Sequence, residues 1–473
     1  MSTVQPSILV GTSPATLTMK QYRIMNETFI INVLIFVVIL IAQYSAVPAA
    51  IGGLSIILYL SLTALTRPVK SFFLIFGIKL TFDALWFLKL PFSEFEKFKL
   101  LEFFIIPMIL LIFVGPKLSR QSLRWPILSS LLYIVWVILA MIFNGYGIDY
   151  ETLIRQSGIF LGLLIGLKYI KDEEHFSLLI YVVFISTIIP VLASVIQIFA
   201  GQIDIPIFYY KLDSIREYRY SGLYYDPATT GMVNVISLLS NTYLISSGIV
   251  KKRYEIFHKI FIPLNMFVIL AGGTRSMISV GFFILLVFLT RNLKKSLKII
   301  PFILLVIVLS KPFIDQVMVR STAELERNIE VMEIMQETDY RTMFTGRVSL
   351  WQDIWYEFNE SGFIQKLLGT GMSSNAHSSY FFLLLQIGWL GLIFYILLNI
   401  SLIVGLWRER IGGIYKVSAI LSLVSLLIIG LSATTAIYTS FQWIVYLIVG
   451  GVLNMGVVSK YKRKSIFPIR IKF

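Results

Sequence analysis

The stretch 176–200 reads FSLLIYVVFISTIIPVLASVIQIFA and carries no charged side chain. As an α-helix it is longer than the ~30 Å hydrocarbon core of a bilayer. Lys171, Asp172, Glu173 and Glu174 stand immediately before it, so the apolar run begins at a sharp polar boundary. A chain inside lipid must satisfy its own backbone polar groups, and a helix does so within one segment. Comparable runs recur at 29–47, 49–66, 71–90, 98–114, 125–143, 153–169, 229–249, 256–271, 275–290, 297–311, 380–404, 415–434 and 437–457. The pattern predicts an all-α polytopic transmembrane bundle of about 14 spans. The alternative is about 12, because the run 297–311 is short and the pairs meeting at Pro48 and at Thr435-Ala436 need tight outer turns.

Composition agrees with that reading. The 473 residues are 57% hydrophobic and 14% charged, with a mean hydropathy of +0.81. Soluble domains carry about 25% charge, so a soluble enzyme, a disordered chain and a disulfide scaffold are all excluded. The absence of cysteine removes thiol nucleophiles, iron–sulfur clusters and zinc–thiolate sites. With only three histidines (His175, His258 and His377) and no HExxH or GxxxxGK[ST] motif, neither a metal nor a cofactor is expected.

A net charge of +15 in a soluble protein suggests nucleic acid, but here it sorts by loop. With the N-terminus inside, the cytoplasmic side receives Lys20/Arg23, Arg67/Lys70, Lys117/Arg120/Arg124, Lys168/Lys171, Lys251/Lys252/Arg253/Lys259, Arg291/Lys294/Lys295/Lys298, Arg408/Arg410/Lys416 and the basic residues of the tail from Lys460 to Lys472. That is most of the 41 basic residues, and few acids accompany them. The asymmetry follows the positive-inside rule and places both termini in the cytoplasm. The surplus charge therefore describes orientation, and no nucleic-acid partner is expected.

The implied organisation is a polar N-terminal tail over 1–25, without the apolar region or cleavage site of a signal peptide, then a bundle over 26–311 that includes an outer loop at 201–228. A large outer loop at 312–379 follows, then spans over 380–458 and a basic tail over 459–473. Within the large loop Leu325, Ile329, Met332 and Met335 recur at helical spacing, as in an amphipathic helix lying on the membrane or capping the bundle.

On the outer side a few residues are suited to chemistry. Arg275 follows Gly272-Gly273-Thr274 and opens a helix, where free N–H groups and close backbone approach suit a phosphate. The alternative is an interfacial arginine reaching the headgroups. Arg219 lies in Arg219-Tyr220-Ser221-Gly222-Leu223-Tyr224-Tyr225-Asp226-Pro227, where it could hold a second phosphate oxygen while Tyr220 and Tyr224 stack on sugar faces. A loop salt bridge to Asp226 or Glu217 is the plainer reading of that arginine. His377, in His377-Ser378-Ser379-Tyr380, could take a proton from a sugar hydroxyl or simply mark a helix boundary. Arg347 adds a cation in the same loop, and Trp351 and Trp355 share a helical face as either a sugar platform or an interfacial belt. Lys79 and Asp83, at i,i+4 within a span, are expected to pair in a structural or gating role.

The order of these pieces over about 215–395 resembles the O-antigen polymerase and O-antigen ligase superfamily. The matching parts are Arg219-x-x-Gly222-x-x-x-Asp226-Pro227, Gly273-Thr274-Arg275, Thr345-Gly346-Arg347 with Trp351, Gly369-Thr370-Gly371, His377-x-x-Tyr380 and Gly388-x-x-Gly391. The chain departs from the family at Ser378 and Ala228, where asparagine is frequent. The resemblance implies glycan transfer at the outer face of the bacterial inner membrane. Donor and acceptor would both be carried by undecaprenyl pyrophosphate, with a chain-length regulator as a further partner. It also implies that Arg219 and Arg275 hold the donor pyrophosphate, that His377 assists the attacking hydroxyl, and that Arg347, Tyr220, Tyr224, Tyr380 and Trp351 contact substrate. A ligase acting on lipid A core shares the donor chemistry. A lipid-linked oligosaccharide flippase is the reading of another class, and it would carry its charges in a central cavity between related halves.

The cysteine-free chain allows the orientation to be tested directly. Cysteine introduced as Tyr210→Cys is expected to react with a membrane-impermeant maleimide in intact cells, and Lys252→Cys only after permeabilisation; the reverse pattern would invert the topology.

Overall fold

A computed structural model describes residues 18–88, 99–118, 125–143, 150–200, 210–212, 218–224, 226–272, 274–291, 300–315, 318–319, 322, 326, 347–371, 377–409, 411, 413–435 and 439–466. The architecture is a helical bundle. Its helices are α1 (Met19–Ala42), α2 (Ala46–Thr66), α3 (Pro68–Phe82), α4 (Ile105–Val114), α5 (Trp125–Phe143), α6 (Tyr150–Tyr169), α7 (Glu173–Ala200), α8 (Pro227–Ser247), α9 (Glu255–Ala271) and α10 (Arg275–Arg291). The series continues with α11 (Ile300–Leu309), α12 (Arg347–Glu360), α13 (Phe363–Leu368), α14 (Ser379–Arg408), α15 (Gly413–Ser432) and α16 (Thr439–Ile466). One antiparallel hairpin, β1 (Tyr210–Leu212) with β2 (Tyr218–Tyr220), interrupts the helices and pairs Lys211 with Arg219.

Each apolar run overlaps a helix, but only seven helices among the described residues are long and apolar enough to cross a bilayer. The count of about 14 is therefore not established. The helix Ile105–Val114 has only 10 residues, and Pro227–Ser247 is interrupted by Asn234, Ser237, Ser240 and Asn241, which lowers its hydropathy. The first helix also starts earlier than expected. Thr18 caps it through a reciprocal bond with Gln21, so residues 19–25 belong to α1 and not to a polar tail. The expected amphipathic helix through Leu325, Ile329, Met332 and Met335 lies outside the described residues.

The closest packing joins α6 to α16. Gly158, Gly162 and Gly166 recur every fourth residue and bring the two backbones together: a Cβ at Gly158 would lie 1.5 Å from Trp443 Nε1, and one at Gly166 would lie 2.3 Å from the Leu447 carbonyl oxygen. Small residues allow this approach in lipid, where no hydrophobic force drives helices together. Trp443 donates its indole N–H to the Arg155 carbonyl at 3.1 Å. Its ring also lies 4.7 Å from Lys79 Nζ, which pairs with Asp83 as the i,i+4 spacing requires. Both charged residues are buried, so each offsets the other's cost within the bundle.

Contacts between successive helices collect the basic stations at one end. Lys70 pairs with Glu27 at 2.6 Å, and Lys251 sits over the Tyr22 ring at 4.1 Å. Phe73 stacks on His175, Tyr415 bonds Glu173 at 2.8 Å, and Arg291 donates to the Gly413 carbonyl at 3.3 Å. The starts of α1, α3, α7, α9 and α15 and the end of α10 thus share one basic end.

The helix over 379–408 is not a single rod. Gly388 has φ 68° and ψ −172°, which breaks the helix into 379–387 and 389–408. In a continuous helix Tyr380 and Tyr395 would be about 22 Å apart. Their rings are 6.5 Å apart, so the chain folds back at Gly388. The expected span at 380–404 accordingly reduces to 389–408, still about 30 Å long.

Gly388 cannot bear a side chain: a Cβ would fall 2.2 Å from the Leu367 carbonyl oxygen, and φ is left-handed. Gly248 shares the left-handed backbone but has nothing within 4 Å. Gly248→Ala is expected to cost about 1 kcal/mol, and Gly388→Ala considerably more, about 3 kcal/mol or loss of the folded protein. Thermal melting of the detergent-purified variants measures both, and equal shifts would contradict the backbone packing described.

Candidate functional site

Three helices begin at the end opposite the basic one. α8 opens at Asp226-Pro227, where the Asp226 carboxylate accepts from the Ala228 N–H at 3.1 Å and proline occupies the first turn. α10 opens at Arg275, whose side chain is exposed. α14 opens at Ser378-Ser379. Adjacency follows from packing. Gly231 of α8 meets Met277 of α10, where a Cβ would lie 2.7 Å from Met277 Cγ. α10 runs antiparallel to α15, because Arg291 at one end meets Gly413 at the other's start. The far end of α15 then meets α14: Ser379 Oγ donates to the Ala433 carbonyl at 3.2 Å and bonds Thr435 Oγ1 at 2.7 Å. Arg275 and His377 are thereby held at the same end, on walls that both adjoin α15.

His377 is the only non-glycine residue among those described with a left-handed backbone, at φ 47°. Histidine tolerates this region better than most residues, but it still costs energy, and such strain clusters at functional sites. Its side chain is half-buried. The other two histidines are committed locally at the basic end. His258 Nδ1 bonds Asn241 Oδ1 at 2.6 Å and its Nε2 meets the Tyr181 hydroxyl at 3.3 Å, while His175 Nδ1 bonds Asp172 at 2.7 Å.

The segment before His377 is held by backbone bonds. Gly369 and Gly371 have φ of 90° and 75°, and the N–H groups of Thr370 and Gly371 donate to the Leu385 carbonyl at 2.7 and 3.2 Å. The Gly369-Thr370-Gly371 stretch and Gly388 therefore form one device, in which the loop docks on the break in the helix. Sequence reading noted both motifs but not their contact; the signal available was glycine at a position interrupting an otherwise continuous apolar helix.

The aromatic candidates divide. Tyr224 is buried, and its hydroxyl donates to the Leu80 carbonyl at 2.7 Å, so its ring belongs to the packing of the bundle. Gly222 has φ 58° and its N–H donates to Gln197 Oε1 at 2.7 Å, which fastens the same segment to α7. Tyr220 is half-buried with its ring edge-on to Phe313. Trp351 stacks on Phe381 at 5.5 Å, and Trp355 packs edge-on to Trp389, so the pair clamps α12 against both arms of α14. Tyr380 donates to the Leu427 carbonyl at 3.1 Å. Arg347 is half-buried at the start of α12. Arg219 is placed by its backbone in β2, opposite Lys211; its side chain lies outside the described residues. Among the described residues, no group of three or more His, Asp or Glu side chains is placed to hold a metal ion.

The starts of α8, α10 and α14 thus bring Arg275 and His377 to one end of the bundle. The chain matches no family model and no curated protein.

Tyr224→Phe is expected to lower stability by about 1–2 kcal/mol through loss of the buried bond to Leu80. A melting temperature equal to that of the unaltered protein would show that the hydroxyl contributes nothing to packing.

Proposed function

We propose that this chain is a membrane glycosyltransferase that polymerises oligosaccharide repeat units carried on undecaprenyl pyrophosphate, producing O-antigen or another surface polysaccharide. The observation that carries the reading is that Arg275, the Asp226-Pro227 helix start and the His377-Ser378 helix start occupy one end of the bundle, opposite the basic end. By the positive-inside rule the basic end is cytoplasmic, which turns the site outward, toward the side where the lipid-linked glycan is displayed.

The chemistry uses charge in place of a metal. The anomeric carbon–oxygen bond to the pyrophosphate breaks, and a bond forms between that carbon and a hydroxyl oxygen of the acceptor sugar. The electron pair leaves on the pyrophosphate, where Arg275 and Arg219 stabilise it as permanently charged, bidentate donors. The hydroxyl proton passes to His377, whose imidazole acts as the general base. Direct displacement inverts the anomeric centre. Arg347 and Tyr380 line the approach of the acceptor, while Tyr224 and Trp351 hold the walls.

Purified protein incubated in chelator with undecaprenyl-pyrophosphate-linked repeat units is expected to form a glycan ladder of inverted linkage. Arg275→Ala and His377→Ala should each reduce product by about 100-fold or more with unchanged membrane accumulation. Full activity in both variants, product only on supplied lipid A core, or transbilayer movement without product would each overturn the polymerase reading.

A further inference from the structure

The described cavity of about 330 Å³ does not lie at the arginine and histidine end. It opens at the basic end, between α8, α10 and α15, and is lined by Ser246, Val287, Phe288, Arg291, Ser418 and Leu421 among others. Its lining is mixed. Arg291 is exposed to solvent, Ser246, Ser418, Thr242 and Tyr243 add polar groups, and apolar side chains from α10 and α15 form the rest of the wall. One Arg291 N–H reaches the Gly413 carbonyl at 3.3 Å, and a guanidinium has five donors, so most of its capacity is left for a ligand. A narrower void of about 10 Å³, roughly the room for one water, continues inward past Tyr243 and Ser418. It reaches Ser240, whose hydroxyl is buried and has no hydrogen-bond partner. On the outer surface of α10, Phe283 and Leu286 are exposed and continue the apolar wall toward the bilayer.

We infer that this cavity binds an anionic glycerophospholipid of the surrounding leaflet. The phosphate is held by Arg291, the glycerol and headgroup oxygens by Ser246 and Ser418, and an acyl chain lies along Val287, Phe288 and Leu421 and out into the bilayer. Charge selects the ligand: the cavity carries Arg291, and the same end of the bundle carries Lys251, Lys252, Arg253 and Lys416, so a net negative headgroup is favoured over a zwitterionic one. The cavity is smaller than a whole phospholipid, which fits a site that seats the headgroup and the upper part of a chain. Bound there, the lipid joins the three helices at their basic ends, the same helices that carry Arg275 and adjoin His377 at the other. The inference does not depend on the glycan reading.

The test is a titration of the delipidated full-length protein with phosphatidylglycerol, phosphatidylcholine of the same acyl chains, and undecaprenyl phosphate, followed by native mass spectrometry. One phosphatidylglycerol is expected to bind at least about fivefold more tightly than phosphatidylcholine. Arg291→Gln should remove that preference, Arg291→Lys should retain part of it, and Leu421→Trp should block binding by filling the groove. Equal binding of both phospholipids, binding unaffected by Arg291→Gln and Leu421→Trp, or binding of undecaprenyl phosphate alone would overturn the assignment. If Arg291→Gln fails to fold, Leu421→Trp and the comparison of lipids still decide it.

Discussion

A peptide carbonyl left unpaired away from water costs several kcal/mol, and that penalty governs the break at Gly388 beside His377. In an unbroken helix the Leu385 and Ile387 carbonyls would accept from the N–H groups four residues on. The turn at Gly388 takes those donors away. The Thr370 and Gly371 N–H groups replace them at Leu385, and the Trp136 indole N–H replaces them at Ile387, at 3.0 Å. At these two acceptors the break is stabilised by substitute donors. In return, the break fixes the loop of Gly369–Gly371 and the short arm 379–387, with His377 at its start.

The same constraint acts on the buried polar residues of the bundle. Asn32, Asn234, Asn265 and Asn399 each donate to the carbonyl four residues earlier, and Asn32 also donates to the Gly77 carbonyl at 2.9 Å while Asn399 accepts from the Tyr446 hydroxyl at 3.0 Å. Lys79 and Asp83 neutralise one another beside Trp443. Charge is concentrated instead at the two ends, and the ends differ in kind. One collects lysines and arginines that orient the chain. The other carries Arg275 at a helix start, where backbone N–H groups add to its field.

Much of this was legible in the sequence, and what was not has physical causes. The class of fold followed from the length of apolar runs such as 176–200, because lipid leaves few alternatives. The pairing of Lys79 with Asp83 followed from i,i+4 spacing. The span count did not follow, because length and hydropathy do not by themselves decide whether a short helix such as Ile105–Val114, or a polar one buried by its neighbours such as Pro227–Ser247, is a crossing. The fold-back at Gly388 was hidden because it needs donors from residues about 15 positions away, on another segment. The glycine stripe at 158, 162 and 166 was legible in principle, since spacing of four marks close helix contact. Tyr224 illustrates the limit at the site: a tyrosine among tyrosines reads as a platform, and only its partner at Leu80 assigns it to the core.

The proposed chemistry requires a lipid-linked pyrophosphate at the end that carries Arg275 and His377. Photocrosslinking answers this most directly, with a lipid-linked oligosaccharide bearing a photoreactive group next to the pyrophosphate, incubated with the protein in nanodiscs and mapped by peptide mass spectrometry. The account predicts crosslinks within 218–226, around Arg275 and around His377. Crosslinks confined to the basic end, near Arg291 and Gly413, would contradict it.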